Sequence, residues 1–104
     1  MKYKLYFDTS SRDRILVKLY KNKKIIAEKS GNRLLTSQIL LPLIESCCRK
    51  NGITLQNISK VEYNPGPGSY TGLKVAAAVA NCLGWYLKIP VNGKKNKIIL
   101  PKFE

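Results

Sequence analysis

The stretch Asn64-Pro65-Gly66-Pro67-Gly68-Ser69-Tyr70-Thr71-Gly72 is where the residue types of this chain come closest to chemistry. Glycines let a backbone approach a ligand, and the first N–H groups of a following helix point at whatever lies ahead of them. The loop therefore reads as a phosphate cradle with Gly66, Gly68, Ser69 and Thr71 as contacts. It is not a Walker A loop, because Gly72 is followed by Leu73 and no Gly-Lys-Ser or Gly-Lys-Thr exists. Nor is it a dinucleotide fingerprint, since Gly66, Gly68 and Gly72 are spaced G-x-G-x-x-x-G. The same residues also read as a rigid turn whose prolines fix φ and whose glycines let a helix pack on a sheet. Spacing alone favours the turn. A second polar loop, Asp8-Thr9-Ser10-Ser11, follows the first apolar run. Its acid and hydroxyls could hold a hydrated magnesium or a phosphate, or could bond their own backbone in a hairpin turn, which is the simpler reading. The two loops together are more suggestive than either alone.

Other chemistry is sparse. Histidine is absent, which removes Ser-His-Asp and Cys-His catalysis and every His-ligated metal site. The three cysteines, Cys47, Cys48 and Cys82, fall on helical stretches among apolar residues with no histidine to activate them, so core or interface packing is the expected role of all three. Adjacent helical side chains point apart and there is no C-x-x-C, so neither a disulfide framework nor a zinc spacing is expected. No catalytic residue and no metal ligand is assigned. Lysines gather at Lys21, Lys23 and Lys24, and again at Lys88, Lys94, Lys95, Lys97 and Lys102. They could contact an RNA backbone or form a solvated surface, and the sequence weighs the two evenly. Tyr20, Tyr63, Tyr70, Trp85 and Tyr86 form no stacking platform recognisable from their spacing.

The whole chain is 104 residues, enough for one domain. It is 44% hydrophobic and 24% charged, as ordinary globular domains are. Its net charge of +13 is not ordinary, and attracts nucleic acid or acidic partners. The longest apolar-rich stretch, 75–87, is too short to span a bilayer, and no signal peptide is visible. A soluble cytoplasmic protein without a membrane partner is the expectation.

Periodicity arranges the elements that must position these residues. Alternation predicts strands at 3–8, 15–20 and 25–29, an antiparallel meander with Lys21-Asn22-Lys23-Lys24 at a hairpin tip. Ser30-Gly31-Asn32 breaks the pattern. A helix follows to about Lys50, with Thr36 or Ser37 as N-cap, Pro42 inside it, and Gly52 where a stop belongs. A connector at 55–58 leads to a strand at 58–63, and the glycine loop leads to a second helix at 73–87. Gly72, Ala76, Ala80 and Gly84 lie four apart on that helix and form a nearly bare ridge. Val91 could open a fifth strand, and 98–100 could fold back as an edge strand of the basic tail 94–104. The order is βββαβα, an α/β fold whose mixed sheet is packed by helices and whose fourth strand is reached through a helix crossover.

The segment Pro65-Gly66-Pro67-Gly68-Ser69-Tyr70-Thr71-Gly72-Leu73-Lys74 closely resembles the G-P-G-S-[FY]-T-G-[LI]-[RK] motif of the TsaB (YeaZ) family. Phe7-Asp8-Thr9-Ser10 is similar to that family's opening strand and I-D-T-S turn, and Leu40-Leu41-Pro42-Leu43-Ile44 to its L-L-P-x-I helix. Gly52-Ile53 and Lys88-Ile89-Pro90-Val91 fit two further segments, so that the resemblance covers about residues 3–93. It implies an actin-like (ASKHA, ribonuclease H-like) lobe over 1–93, with 94–104 as a basic tail. It also implies a non-catalytic subunit that docks on TsaD, the transferase that modifies the adenosine beside the tRNA anticodon, in a system that includes the TsaE ATPase. The resemblance covers one of the family's two lobes, and on that reading no cleft between lobes of one chain is expected. No cofactor of its own is expected, only a nucleotide at a shared interface, touched by Asp8, Thr9 and Ser10 with the glycine loop. The His-Ser common ahead of the family's first helix is Thr36-Ser37 here. The family's helix pair docks on TsaD, or on itself when TsaD is missing. Carried onto this chain, that face comprises Leu40, Leu43, Ile44, Cys47, Leu73, Ala76, Ala77, Ala80 and Leu83.

Overall fold

The computed structural model describes residues 3–11, 13–32, 36–68 and 70–93. Strands β1 (Tyr3–Asp8), β2 (Arg14–Lys21) and β3 (Lys24–Asn32) form the meander, helix α1 (Thr36–Lys50) crosses over, and β4 (Ile58–Tyr63) leads into helix α2 (Tyr70–Leu87). The sheet order is β3-β2-β1-β4, with β4 parallel to β1 and the other pairings antiparallel. The expected βββαβα lobe is present.

Register explains which face is buried. Leu5 lies opposite Leu19 and Val61, and Phe7 opposite Val17 and Tyr63, so alternate positions of three strands form one apolar surface. Leu40, Ile44, Cys47 and Cys48 of α1, with Ala76, Ala77, Ala80 and Leu83 of α2, join these strand residues in a single buried cluster. Both helices thus cover the same side. The other side of the sheet carries Lys4, Tyr6, Lys18, Tyr20 and Glu62, all partly exposed, and no described helix lies over it.

Four details depart from the sequence reading. The strands run up to a two-residue tip, Asn22-Lys23, with Asn22 at φ 59°, a left-handed turn position that asparagine tolerates. Strand β3 continues through Ser30-Gly31-Asn32 because Gly31 lets α1 sit close: a Cβ there would lie 2.6 Å from Ile39 Cδ1. Helix α2 begins at Tyr70, three residues earlier than its apolar periodicity starts. The fifth strand shrinks to one parallel bridge, Val61 to Val91, because Asn92 (φ 49°) and Gly93 (φ 79°) turn the chain away. At that bridge Val61 N–H donates to the Pro90 carbonyl and Asn92 N–H to the Val61 carbonyl, while the Asn92 side-chain amide bonds both the N–H and the carbonyl of Tyr63.

Helix α1 runs through Pro42, which lies on its exposed side. The hydrogen bond that a proline cannot make to the Gln38 carbonyl is therefore lost where water can replace it. The side chains of Thr36 and Ser37, the tail 94–104 and its edge strand at 98–100 lie outside the described residues. No helix among the described residues is long and apolar enough to cross a membrane.

Candidate functional site

Strands β1 and β4 are parallel neighbours, so the loops that leave their C-terminal ends emerge side by side. The sequence proposes both loops, and the structure joins them. The Asp8 carboxylate is the hub. Its Oδ1 accepts from the Ser10 N–H at 2.9 Å and the Ser10 hydroxyl at 2.6 Å, and its Oδ2 accepts from Asn64 Nδ2 at 3.3 Å. Asn64 Nδ2 also reaches Ser10 Oγ at 3.1 Å, while its Oδ1 accepts the Gly66 N–H at 3.0 Å. Asn64 N–H in turn bonds the Phe7 carbonyl at 3.2 Å, continuing the sheet ladder into the loop.

Thr9 is fully buried, and its hydroxyl donates to the Gly72 carbonyl at 2.6 Å, which ties the first loop to the first turn of α2. Gly68 rests directly on Ser10: an added Cβ would lie 2.6 Å from Ser10 Cβ and 2.7 Å from its carbonyl oxygen. Gly66 has φ 111°, reserved for glycine, and the Gly66–Pro67 peptide is cis. Gly66 and Gly68 therefore each have a local conformational or steric reason.

Chemically, this is a clamp. Both Asp8 oxygens and the Thr9 hydroxyl are engaged within the protein, so the expected contact residues Asp8, Thr9 and Ser10 hold loop to loop. Pro67, Gly68 and Thr71 are the exposed members of the corner; Ser69 lies outside the described residues. Sequence reasoning missed Asn64, the residue that bridges the loops. Its signal was present, since an asparagine ending a strand before Pro-Gly commonly bonds the backbone two residues on.

The expected docking residues need correcting. Leu40, Ile44, Cys47, Leu73, Ala76, Ala77, Ala80 and Leu83 are all buried in the chain's own core, and Leu43 alone is partly exposed. The bare ridge is spent in the same way, for a Cβ on Gly84 would collide with Val91 Cγ2. A small-residue ridge and an apolar stripe must bury against something, and here that is the sheet and the 90–91 segment. What the helices leave outside is Leu41 on α1, 50% exposed, and Trp85 and Tyr86 at the end of α2, 83% and 67% exposed.

The cysteines divide. Cys47 and Cys48 are free and buried in the core, whereas Cys82 is free and exposed, which leaves it outside the core. Burial pushes both buried thiols up from 9.0, Cys48 to about 11. Iodoacetamide at pH 8 is therefore expected to modify Cys82 first, and Cys47 and Cys48 only on unfolding, as peptide mass spectrometry would read. The folded thiols titrate above their unfolded value, so the stability they contribute is full below pH 9. It is lost as pH rises from there through about 11, and equal urea midpoints at pH 8 and pH 10.5 would contradict this.

At the opposite end of the sheet, Lys21, Lys23 and Lys24 occupy the β2–β3 tip as expected, with Lys21 Nζ 6.0 Å from the Tyr3 ring. Lys4 and Lys60, remote in sequence, join them there; Lys94, Lys95 and Lys97 lie outside the described residues.

A family model described as tRNA N6-adenosine threonylcarbamoyltransferase (TsaD) matches residues 33–94. The tRNA threonylcarbamoyladenosine biosynthesis protein TsaB of Buchnera aphidicola from Schizaphis graminum is 36% identical over 97 residues, which cover 92% of this chain and 45% of that one. The TsaB of Haemophilus influenzae is 31% identical over 87 residues, 84% of this chain and 36% of the other. The solved structure of YeaZ from Pseudomonas aeruginosa superposes with a TM-score of 0.78 at 27% identity, covering 86% of this chain and 42% of that one. The chain thus spans somewhat under half the length of these relatives.

Proposed function

The chain belongs to the TsaB (YeaZ) family, and from that premise we propose that it is a binding subunit in tRNA threonylcarbamoyladenosine biosynthesis, docking on a TsaD-like transferase without catalysing the transfer itself. The observation that carries the docking reading is the pair Trp85 and Tyr86. Two large aromatics, 83% and 67% exposed, stand on a helix whose inner face is already filled. Interface anchors are enriched in these residue types. Leu41 adds an exposed apolar group on α1. In the absence of the partner the same helices would pair with a second copy; a TsaE-like ATPase would join through the transferase, and tRNA would be reached through the transferase or through the basic surface of this chain. That role places the chain in the cytoplasm.

The Asp8–Asn64 clamp supports this division of labour, since it stiffens the corner from which α2 starts and so fixes the helix that presents Trp85 and Tyr86. Any nucleotide would be shared with the partner at the exposed Pro67, Gly68 and Thr71.

Co-purification with the TsaD-like protein of the same genome, read by light-scattering mass, tests the reading. A defined complex is expected, and the doubly substituted Trp85→Ala/Tyr86→Ala chain is expected to bind about 30-fold more weakly or worse, since anchors of this type contribute about 2 kcal/mol or more. Two separate peaks for the unsubstituted chain would sink the docking reading. The weight would then move to the second reading, a stand-alone basic RNA-binding module, which the charge of +13 favours.

A further inference from the structure

We propose that the hairpin end of the sheet is a phosphate-binding site for single-stranded RNA, continued along the uncovered sheet face by tyrosines on which bases stack. A concavity of about 240 Å³ opens there, lined by Tyr3, Lys4, Asn22, Lys23, Ser59 and Lys60. Three of its six residues are lysines and none is acidic. Its volume is below the usual range for a drug-sized ligand, roughly 300–1,000 Å³, and suits one phosphodiester group. Lys23 and Lys60 are exposed and, among the described residues, have no carboxylate partner. Lys4 is anchored at 3.2 Å to Glu62, so it forms the paired rim of the concavity beside two exposed cations.

The second observation is independent of the charge. Lys4 pairs in register with Tyr20, and Tyr6 with Lys18, which sets Tyr6 and Tyr20 diagonally across β1 and β2 on the open face. Lys4 Nζ lies 4.4 Å from the centre of the Tyr20 ring, so the pocket and the aromatic surface are continuous. Cations at one end and partly exposed tyrosines along an uncovered sheet face are what a single strand requires: backbone neutralisation and sequence-tolerant stacking. Sequence reasoning weighed Tyr20 without Tyr6 and found no platform, because only the strand register places the two together. The choice of RNA among polyanions rests on the tRNA pathway proposed above; the site itself rests on the geometry.

The test is fluorescence anisotropy of a 12-nucleotide fluorescein-labelled single-stranded RNA of mixed sequence, titrated with the whole chain between 50 and 200 mM salt. The Lys23→Ala/Lys60→Ala chain is expected to bind tenfold or more weakly. Its slope of log K against log salt should be shallower by about 1.4, two contacts at about 0.7 each. Tyr20→Ala should weaken binding about tenfold while leaving that slope unchanged. A charge-matched Arg14→Ala/Lys74→Ala chain, altered at the start of β2 and on α2, away from the hairpin tip, should bind nearly as the unsubstituted protein does. Equal losses in the two lysine and arginine pairs, or no binding at 50 mM salt, would overturn the site. Circular dichroism confirms that each chain is folded. Co-purification with the transferase reads the docking separately: the lysine pair should leave it unchanged, and its loss through Trp85 leaves RNA binding intact.

Discussion

Replacing Gly68 by valine is expected to destabilise the protein by about 3 kcal/mol, the upper end of what forced overpacking usually does. The first new carbon would lie 2.6 Å from Ser10 Cβ, 2.7 Å from the Ser10 carbonyl oxygen and 2.9 Å from Ser10 Cα. Those atoms cannot rotate away, because Ser10 is held at its N–H and hydroxyl by Asp8 and at its Oγ by Asn64. The loops must separate, and the Asn64–Asp8 bond goes with them. Urea unfolding should show a lower midpoint at an unchanged m value. Adding Ser10→Gly should recover little, since the carbonyl oxygen and Cα remain; full recovery would show that the loops meet only through side chains. Gly52→Ala is the natural comparison. Nothing lies within 4 Å of its added carbon, so only the φ of +68° opposes it, at about 1 kcal/mol.

The second large effect is expected for Phe7→Ala, a loss of about 3–5 kcal/mol. Phe7 is fully buried at the centre of the sheet, its ring stacked on Tyr63 with centroids 6.1 Å apart. It also stands one residue before Asp8, and its carbonyl accepts the Asn64 N–H, so the cavity opens beneath both loops. A domain of this size is held by roughly 5–15 kcal/mol in all, so the variant should melt about 15 °C lower or more. Loss of the same stability in Phe7→Leu would contradict a cavity origin, because leucine refills most of the volume.

How far the sequence could be read follows from the range of the interactions concerned. The meander, the crossover helix and the parallel β4 were legible because alternation at 3–8 and 15–20, and helical spacing at Leu40, Ile44 and Cys47, are local signals that tertiary packing reinforces. Gly31 read as a break because its role is set by Ile39 and Leu43 on the next helix. The ridge at Ala76 and Ala80 was correctly seen as a close-packing surface, but a single sequence does not name what packs on it. The clamp was half visible: Asp8, Thr9 and Ser10 were singled out, whereas Asn64 acquires its role only when β4 is placed in register beside β1. Lys4 and Lys60 are 56 residues apart in the chain and become neighbours through the same pairing.

The short bridge beyond β4 has a consequence for behaviour at high concentration. A sheet edge with unpaired peptide groups is a template on which another chain can add a strand. Here Asn92, held in a left-handed turn, supplies a side-chain amide in place of the next peptide unit, taking up the N–H and the carbonyl of Tyr63 at 2.8 and 3.1 Å. With Pro90 and Asn92 backbone groups already on Val61, the outer rim of β4 offers no continuous ladder. Asn92 is thus a terminator of sheet growth at the β4 edge, and leaves β3 as the edge on which a further strand would have to add.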